Sequence, residues 1–171
     1  GFYNGSATHW GPEIEFARTL YRAGVRDFGV IKVSRGGGGN SLWLKASGHM
    51  YSRIITTVEE AVASLPGGDT YEIAGLLYLQ GESDNGSEAA VSGTRLKDLV
   101  DNLRMSKANG GLDHAATMHA VIGGVAAAGG SRDTVRAQQA AIATSTAYID
   151  YFENIDLQTK LHDGLHFNRE A

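Results

Sequence analysis

The stretch IAGLLYL, residues 73–79, decides the fold class, because it is a continuous apolar run followed directly by the polar block QGESD, residues 80–84. A short apolar run bounded by polar residues is typical of a parallel strand that is covered on both faces. Similar short runs predict further strands at residues 28–33, 115–125 and 148–152. The sequence therefore predicts several buried strands, each followed by a loop.

Between these strands, apolar residues recur at helical spacing. The spacing predicts helices at residues 12–21, 51–65, 91–105 and 131–142. Regular alternation of helix and strand favours an α/β fold, a three-layer sandwich with a central parallel sheet and helices on both faces. In such folds the chemistry gathers in the loops beyond the carboxyl ends of the strands. No repeat or linker divides the 171 residues, so we expect a single domain.

Composition excludes several classes of partner. The formal net charge is −4, without any long run of Lys or Arg, which argues against binding to nucleic acid or to an anionic membrane surface. Cysteine is absent, which excludes disulfides and thiolate metal sites. No apolar stretch is long enough to span a bilayer. Composition gives no indication of the oligomeric state.

Three polar clusters follow or flank the predicted strands: RGGGGN at residues 35–40, QGESD at 80–84 and HDGLHFN at 162–168. In the first cluster, a backbone without side chains can approach a substrate closely and direct a main-chain N–H at a developing oxyanion. A plain loop and a phosphate cradle in a nucleotide-binding domain are the alternatives. No Lys-Ser or Lys-Thr follows the glycines, as a P-loop would require.

The other two clusters supply candidate side chains. The amide of Gln80 can donate a hydrogen bond to an oxyanion, or it can satisfy nearby loop carbonyls. Glu82 can pair with Arg35, orient the loop or remain solvated. The spacing of Asp163 and His166 suits a carboxylate that orients an imidazole base, although Asp163 could instead cap a helix that begins near His166.

Four sequence blocks together resemble the sialate O-acetylesterase and acetylxylan esterase group of SGNH hydrolases, which have a flavodoxin-like fold. Residues 11–17, GPEIEFA, are similar to the GPExxFA opening of a helix in that family. Gly36 and Gly37 with Trp43 match a GGxxxxxW element. Residues 78–84 match WYQGESD, and residues 163–167 match DxxHF. The resemblance extends along nearly the whole chain.

The resemblance implies a carbohydrate O-acetylesterase that uses a Ser-His-Asp mechanism and needs no metal or organic cofactor. It assigns the oxyanion hole to the backbone of Gly37, with Gly36 as the near alternative, and to the side chain of Gln80. His166 would be the base and Asp163 its orienting acid. The substrate would be an acetylated carbohydrate, and family analogy favours a secreted or periplasmic location.

The nucleophile of this family is the serine of a GQSN motif at the end of the first strand, and no GQSN occurs in the 171 residues. Ser6 and Ser34 stand in the wrong segments to replace it. Gly38 and Gly39 replace the usual threonine and serine, and Arg35 replaces an aliphatic residue. We therefore expect a domain trimmed at both ends. Its missing strand would come from a partner chain, an additional segment or a rearranged topology. A non-catalytic carbohydrate-binding or structural relative is the alternative.

Overall fold

The structure of the protein is a computed structural model, and it describes residues 11–161 of the 171-residue chain. A parallel sheet in this region consists of β1 (Gly75–Leu79), β2 (His119–Gly123) and β3 (Ile149–Phe152), in the order β1-β2-β3. Both strand pairs are parallel. The predicted α/β class with a parallel sheet is therefore confirmed.

Helices also alternate with the strands, except that no strand lies between the first two helices. In the described part of the chain, the α-helices are α1 (Glu13–Arg22), α2 (His49–Ala63), α3 (Ser87–Ala90), α4 (Ser92–Leu103) and α5 (Ser131–Ser145). The helix predicted at residues 91–105 corresponds to α4, and α3 is an additional short helix before it. The two are separated at Val91, whose backbone leaves the helical region with φ −109° and ψ 6°. None of these helices combines the length and apolar character needed to cross a bilayer.

The main core lies between one face of the sheet and the helices that pack on it. Every second side chain of each strand lies on this face. Tyr78, Ile122 and Ile149 are among them, and all three are buried. From α4, four buried residues pack into this core; they are Leu96, Leu99, Val100 and Leu103. Tyr51 and Ile54 extend it to α2. This packing fixes β1 and α4, which both carry residues of the site described below.

The opposite face of the sheet is open in the described residues. Leu77 and Leu79 of β1 remain 45% and 49% exposed, and Phe152 of β3 is 68% exposed. Helix α1 buries none of its residues. The apolar run at 73–79 predicts a strand covered on both faces, whereas residues 11–161 cover only one face of it.

The predicted strand at residues 28–33 is wrong: this segment has no regular secondary structure. Its β-branched residues favour a strand, but a strand is stable only beside a hydrogen-bonded partner. Among the described residues, β1 pairs only with β2, so residues 28–33 are not added to the sheet. As a result, Val30 and Ile31 stay exposed to solvent.

Candidate active site

The QGESD block forms a tight turn at the carboxyl end of β1. The turn is closed by a hydrogen bond from the backbone N–H of Asp84 to the carbonyl of Gly81, at 3.1 Å. Gly81 is buried and has φ +142°, a conformation that side chains rarely adopt. A Cβ atom at this position would lie 2.6 Å from Val135 and 2.7 Å from Val125. The turn therefore requires glycine.

This turn holds the side-chain amide of Gln80, which is only 7% exposed, in one orientation. The Nε2 atom donates to Oδ2 of Asp84 at 3.0 Å, and the Oε1 atom accepts from the hydroxyl of Tyr78 at 2.8 Å. Gln139 donates to the backbone carbonyl of Gln80 at 2.9 Å. Reversing the amide would bring its oxygen against the Asp84 carboxylate, so the amide nitrogen must face this side.

The Tyr78 hydroxyl is a dependable donor in this arrangement. Burial raises the pKa of Tyr78 above its ordinary value, and the negative charges of Asp84 and Glu82 raise it further. The phenol therefore keeps its proton throughout the neutral range and donates a hydrogen bond to Oε1 of Gln80.

The glycine loop, residues 36–39, approaches Gln80 from the other side. Gly36 and Gly37 are exposed, and Gly37 has φ +65°, which favours glycine. The carbonyl of Gly38 lies 3.4 Å from Nε2 of Gln80. The structure therefore brings the glycine loop and Gln80 together at the carboxyl end of β1. The roles of Gly37, Gly36 and Gln80 in an oxyanion hole stay predictions.

Asp84 connects the two elements, and the sequence patterns assigned it no role. Its side chain is completely buried and accepts from Gln80 and, through Oδ1, from the backbone N–H of Asn40 at 2.8 Å. Asn40 follows the glycine loop directly and is itself buried. The only sequence signal for Asp84 is its place at the end of the QGESD block.

A second set of contacts fixes Asn40 from behind. Its Nδ2 donates to the carbonyl of Glu88 in α3 at 2.8 Å, and its Oδ1 accepts from Arg95 in α4. Arg95 also forms a salt bridge of 2.5 Å with the Glu88 side chain. We call the residues Tyr78, Gln80, Asp84, Asn40, Glu88 and Arg95 the Asp84 network. This network ties the glycine loop to β1, α3 and α4.

Two charged residues border the glycine loop. The pairing of Arg35 with Glu82, one of the alternatives that the sequence left open for Glu82, is replaced by another contact. The Nη1 atom of Arg35 lies 3.1 Å from Nε2 of His49, the first residue of α2. Both are exposed. Glu82 is half-buried beside the Gln80 turn. His49 is thus a neighbour of the loop that sequence patterns did not single out.

Asp163 and His166, the predicted acid and base, lie outside the described residues, and their placement stays a prediction. Within residues 11–161, no three His, Asp or Glu side chains are grouped so that they could hold a metal ion.

Two comparisons with known proteins gave matches. The family model described as carbohydrate esterase, sialic acid-specific acetylesterase, matches residues 3–171. Among solved structures, the chain is similar to a protein from Arabidopsis thaliana, with a TM-score of 0.77 and 24% sequence identity over 97% of this chain. The chain spans 64% of the length of that protein. This likeness is one of fold. No curated protein matches the chain.

Proposed function

Because the chain belongs to the carbohydrate esterase family of sialic acid-specific acetylesterases, we propose that it removes O-acetyl groups from a carbohydrate. The observation that supports this proposal is the approach of the Gln80 amide to the glycine loop, with Nε2 3.4 Å from the Gly38 carbonyl. An oxyanion hole requires hydrogen-bond donors fixed beside one another before the substrate arrives. In our proposal, a backbone N–H of the glycine loop and the Gln80 amide supply these donors.

In the proposed reaction, a serine hydroxyl attacks the carbonyl carbon of the acetyl group, and His166 accepts the proton of the hydroxyl. The bond between the acetyl carbon and the sugar oxygen then breaks, and His166 returns the proton to that oxygen. Water hydrolyses the acetyl-enzyme by the same route and releases acetate. Asp163 holds the imidazole in its working tautomer. No metal or organic cofactor takes part.

The oxyanion of both tetrahedral intermediates would be bound by the N–H of Gly37 and by Nε2 of Gln80. Gly36 is the near alternative to Gly37, and Glu82 would support the turn that carries Gln80. We place the nucleophilic serine outside the 171 residues, because they contain no GQSN motif. We also propose that residues 1–171 belong to one domain.

The test is an esterase assay on the complete natural polypeptide that contains this chain. With 4-nitrophenyl acetate as substrate, we expect His166→Ala to lower kcat at least about 10³-fold, since the base is lost. His119→Ala is the matched control, because His119 begins β2 at the opposite end of the strands and contacts Asp150 at 2.6 Å. Turnover that survives His166→Ala unchanged would contradict the assignment. Parallel assays on acetylated sialic acid and acetylated xylan identify the sugar.

A non-catalytic carbohydrate-binding or structural relative is the second candidate, and the absence of GQSN from the 171 residues favours it. Intact mass and N-terminal sequencing of the natural protein, followed by the same assay, separate the two. A natural start at Gly1 without turnover supports the non-catalytic candidate. A longer protein that contains a GQSN serine and hydrolyses the ester supports the esterase.

A further inference from the structure

The burial of the Asp84 carboxylate is the least expected feature of the site. A carboxylate that is removed from water is costly unless a cation or several donors compensate it. The donors that reach Asp84 in the described residues are neutral, the backbone N–H of Asn40 and the amide of Gln80. Arg95, the cation of the Asp84 network, bonds to Asn40 and Glu88 instead. A group kept buried at such a cost requires a reason.

We propose that Asp84 is the positioning residue of the oxyanion hole, an inference that rests on the proposed esterase function. One oxygen of the carboxylate accepts from the Gln80 amide, and the other accepts from the backbone N–H of Asn40, which directly follows the glycine loop. The two oxygens belong to one planar group, so the separation of the two donor elements is set by a single rigid side chain. Asp84 itself does not touch the substrate.

The carboxylate also determines which end of the Gln80 amide faces the loop. A carboxylate only accepts hydrogen bonds, so Gln80 must present its Nε2 atom to it. One hydrogen of this nitrogen is used by Asp84 at 3.0 Å. The second is directed towards the Gly38 carbonyl at 3.4 Å, which is long for an N–H···O bond. This second hydrogen can therefore form a hydrogen bond to a substrate oxyanion, because only a weak hydrogen bond to the Gly38 carbonyl is lost.

The substitution Asp84→Asn tests this role, because it keeps the shape and removes one acceptor. The new NH₂ group of residue 84 must face either Gln80 Nε2 or the N–H of Asn40, and both are donors. In the first case the Gln80 amide reverses and presents its oxygen to the oxyanion. In the second case the glycine loop loses its anchor. We expect kcat to fall about 10²- to 10³-fold, with KM changed by less than about threefold.

A thiono substrate separates this role from a general loss of structure. Sulfur is a weaker hydrogen-bond acceptor than oxygen, so an intact oxyanion hole favours an aryl acetate over the corresponding thionoacetate. We expect Asp84→Asn to lower the ratio of kcat/KM for the two substrates at least about tenfold, since one donor is worth about that much or more. Partial unfolding would reduce kcat/KM equally for the aryl acetate and the thionoacetate, and would leave the ratio of the two unchanged.

Asp101→Asn is the matched control, since it removes one carboxylate that pairs with Lys97 on the surface of α4, away from the Asp84 network. We expect this variant to keep both kcat and the substrate ratio. An Asp84→Asn enzyme that also keeps both values would overturn the inference.

The ground state provides a test that does not depend on catalysis. In a ¹H–¹⁵N spectrum of the complete protein, one Nε2 proton of Gln80 should be shifted downfield by its bond to a carboxylate, and the Asn40 amide should exchange slowly. Their absence in the unmodified protein would overturn the inference even if Asp84→Asn does not fold. If both signals are present and depend on Asp84 in a protein without esterase activity, the proposed function fails while the positioning of Gln80 by Asp84 stands.

Discussion

The turn at Gly81 offers the sharpest test of the site geometry, through the substitution Gly81→Ala. The added Cβ would lie 2.6 Å and 2.7 Å from methyl carbons of Val135 and Val125, distances at which one of the groups must move. Overpacking of this kind costs about 1–3 kcal/mol. The φ of +142° adds about 1–3 kcal/mol of backbone strain for any residue with a Cβ. We therefore expect the free energy of unfolding to fall by about 2–6 kcal/mol.

Urea denaturation followed by circular dichroism measures this loss, and two other glycines separate its causes. Gly37→Ala meets the same kind of strain at φ +65°, but its Cβ would have no atom within 4 Å, so we expect a loss of about 1–2 kcal/mol. Gly67→Ala has neither positive φ nor close neighbours, so a change within about 0.5 kcal/mol is expected. A Gly81→Ala protein as stable as Gly67→Ala would refute the geometry of the turn.

Three further predictions concern the core and the tyrosines. Leu99→Ala removes a side chain that is 1% exposed in the main core, so urea denaturation should show a loss of about 2–5 kcal/mol. Tyr78→Phe leaves Oε1 of Gln80 without its donor, and the same measurement should show a loss of about 1–2 kcal/mol. Burial, a hydrogen bond to Glu153 and the negative charge of Glu153 raise the pKa of Tyr151 to about 12. The protonated tyrosine therefore stabilises the fold below about pH 10, and this contribution is lost as the pH rises from about 10 to about 12. Urea midpoints across this range should fall less steeply for Tyr151→Phe than for the unmodified protein, and equal slopes would contradict the assignment.

The strands show where sequence patterns were sufficient and where they were not. The apolar run at 73–79 and the shorter run at 148–152 correspond to β1 and β3, because each has a neighbouring strand in register. Residues 28–33 have an equally suitable composition and form no strand, because composition records a preference for the extended backbone and not the presence of a partner. Strand formation is a property of the pair, which one segment of sequence does not contain.

The candidate site was predictable in location but not in its internal contacts. A polar block directly after an apolar strand has to lie at the carboxyl edge of a parallel sheet, so the position of Gln80 followed from the pattern, whereas its proposed role came from the family resemblance. The role of Asp84 depends on Asn40, a residue 44 positions earlier, and the bond between them forms only when the glycine loop folds against β1. No local pattern encodes that distance. The carboxylate that we propose to position the oxyanion hole is for this reason recognisable only in the folded chain, where it is buried and its hydrogen-bond partners among residues 11–161 are neutral donors.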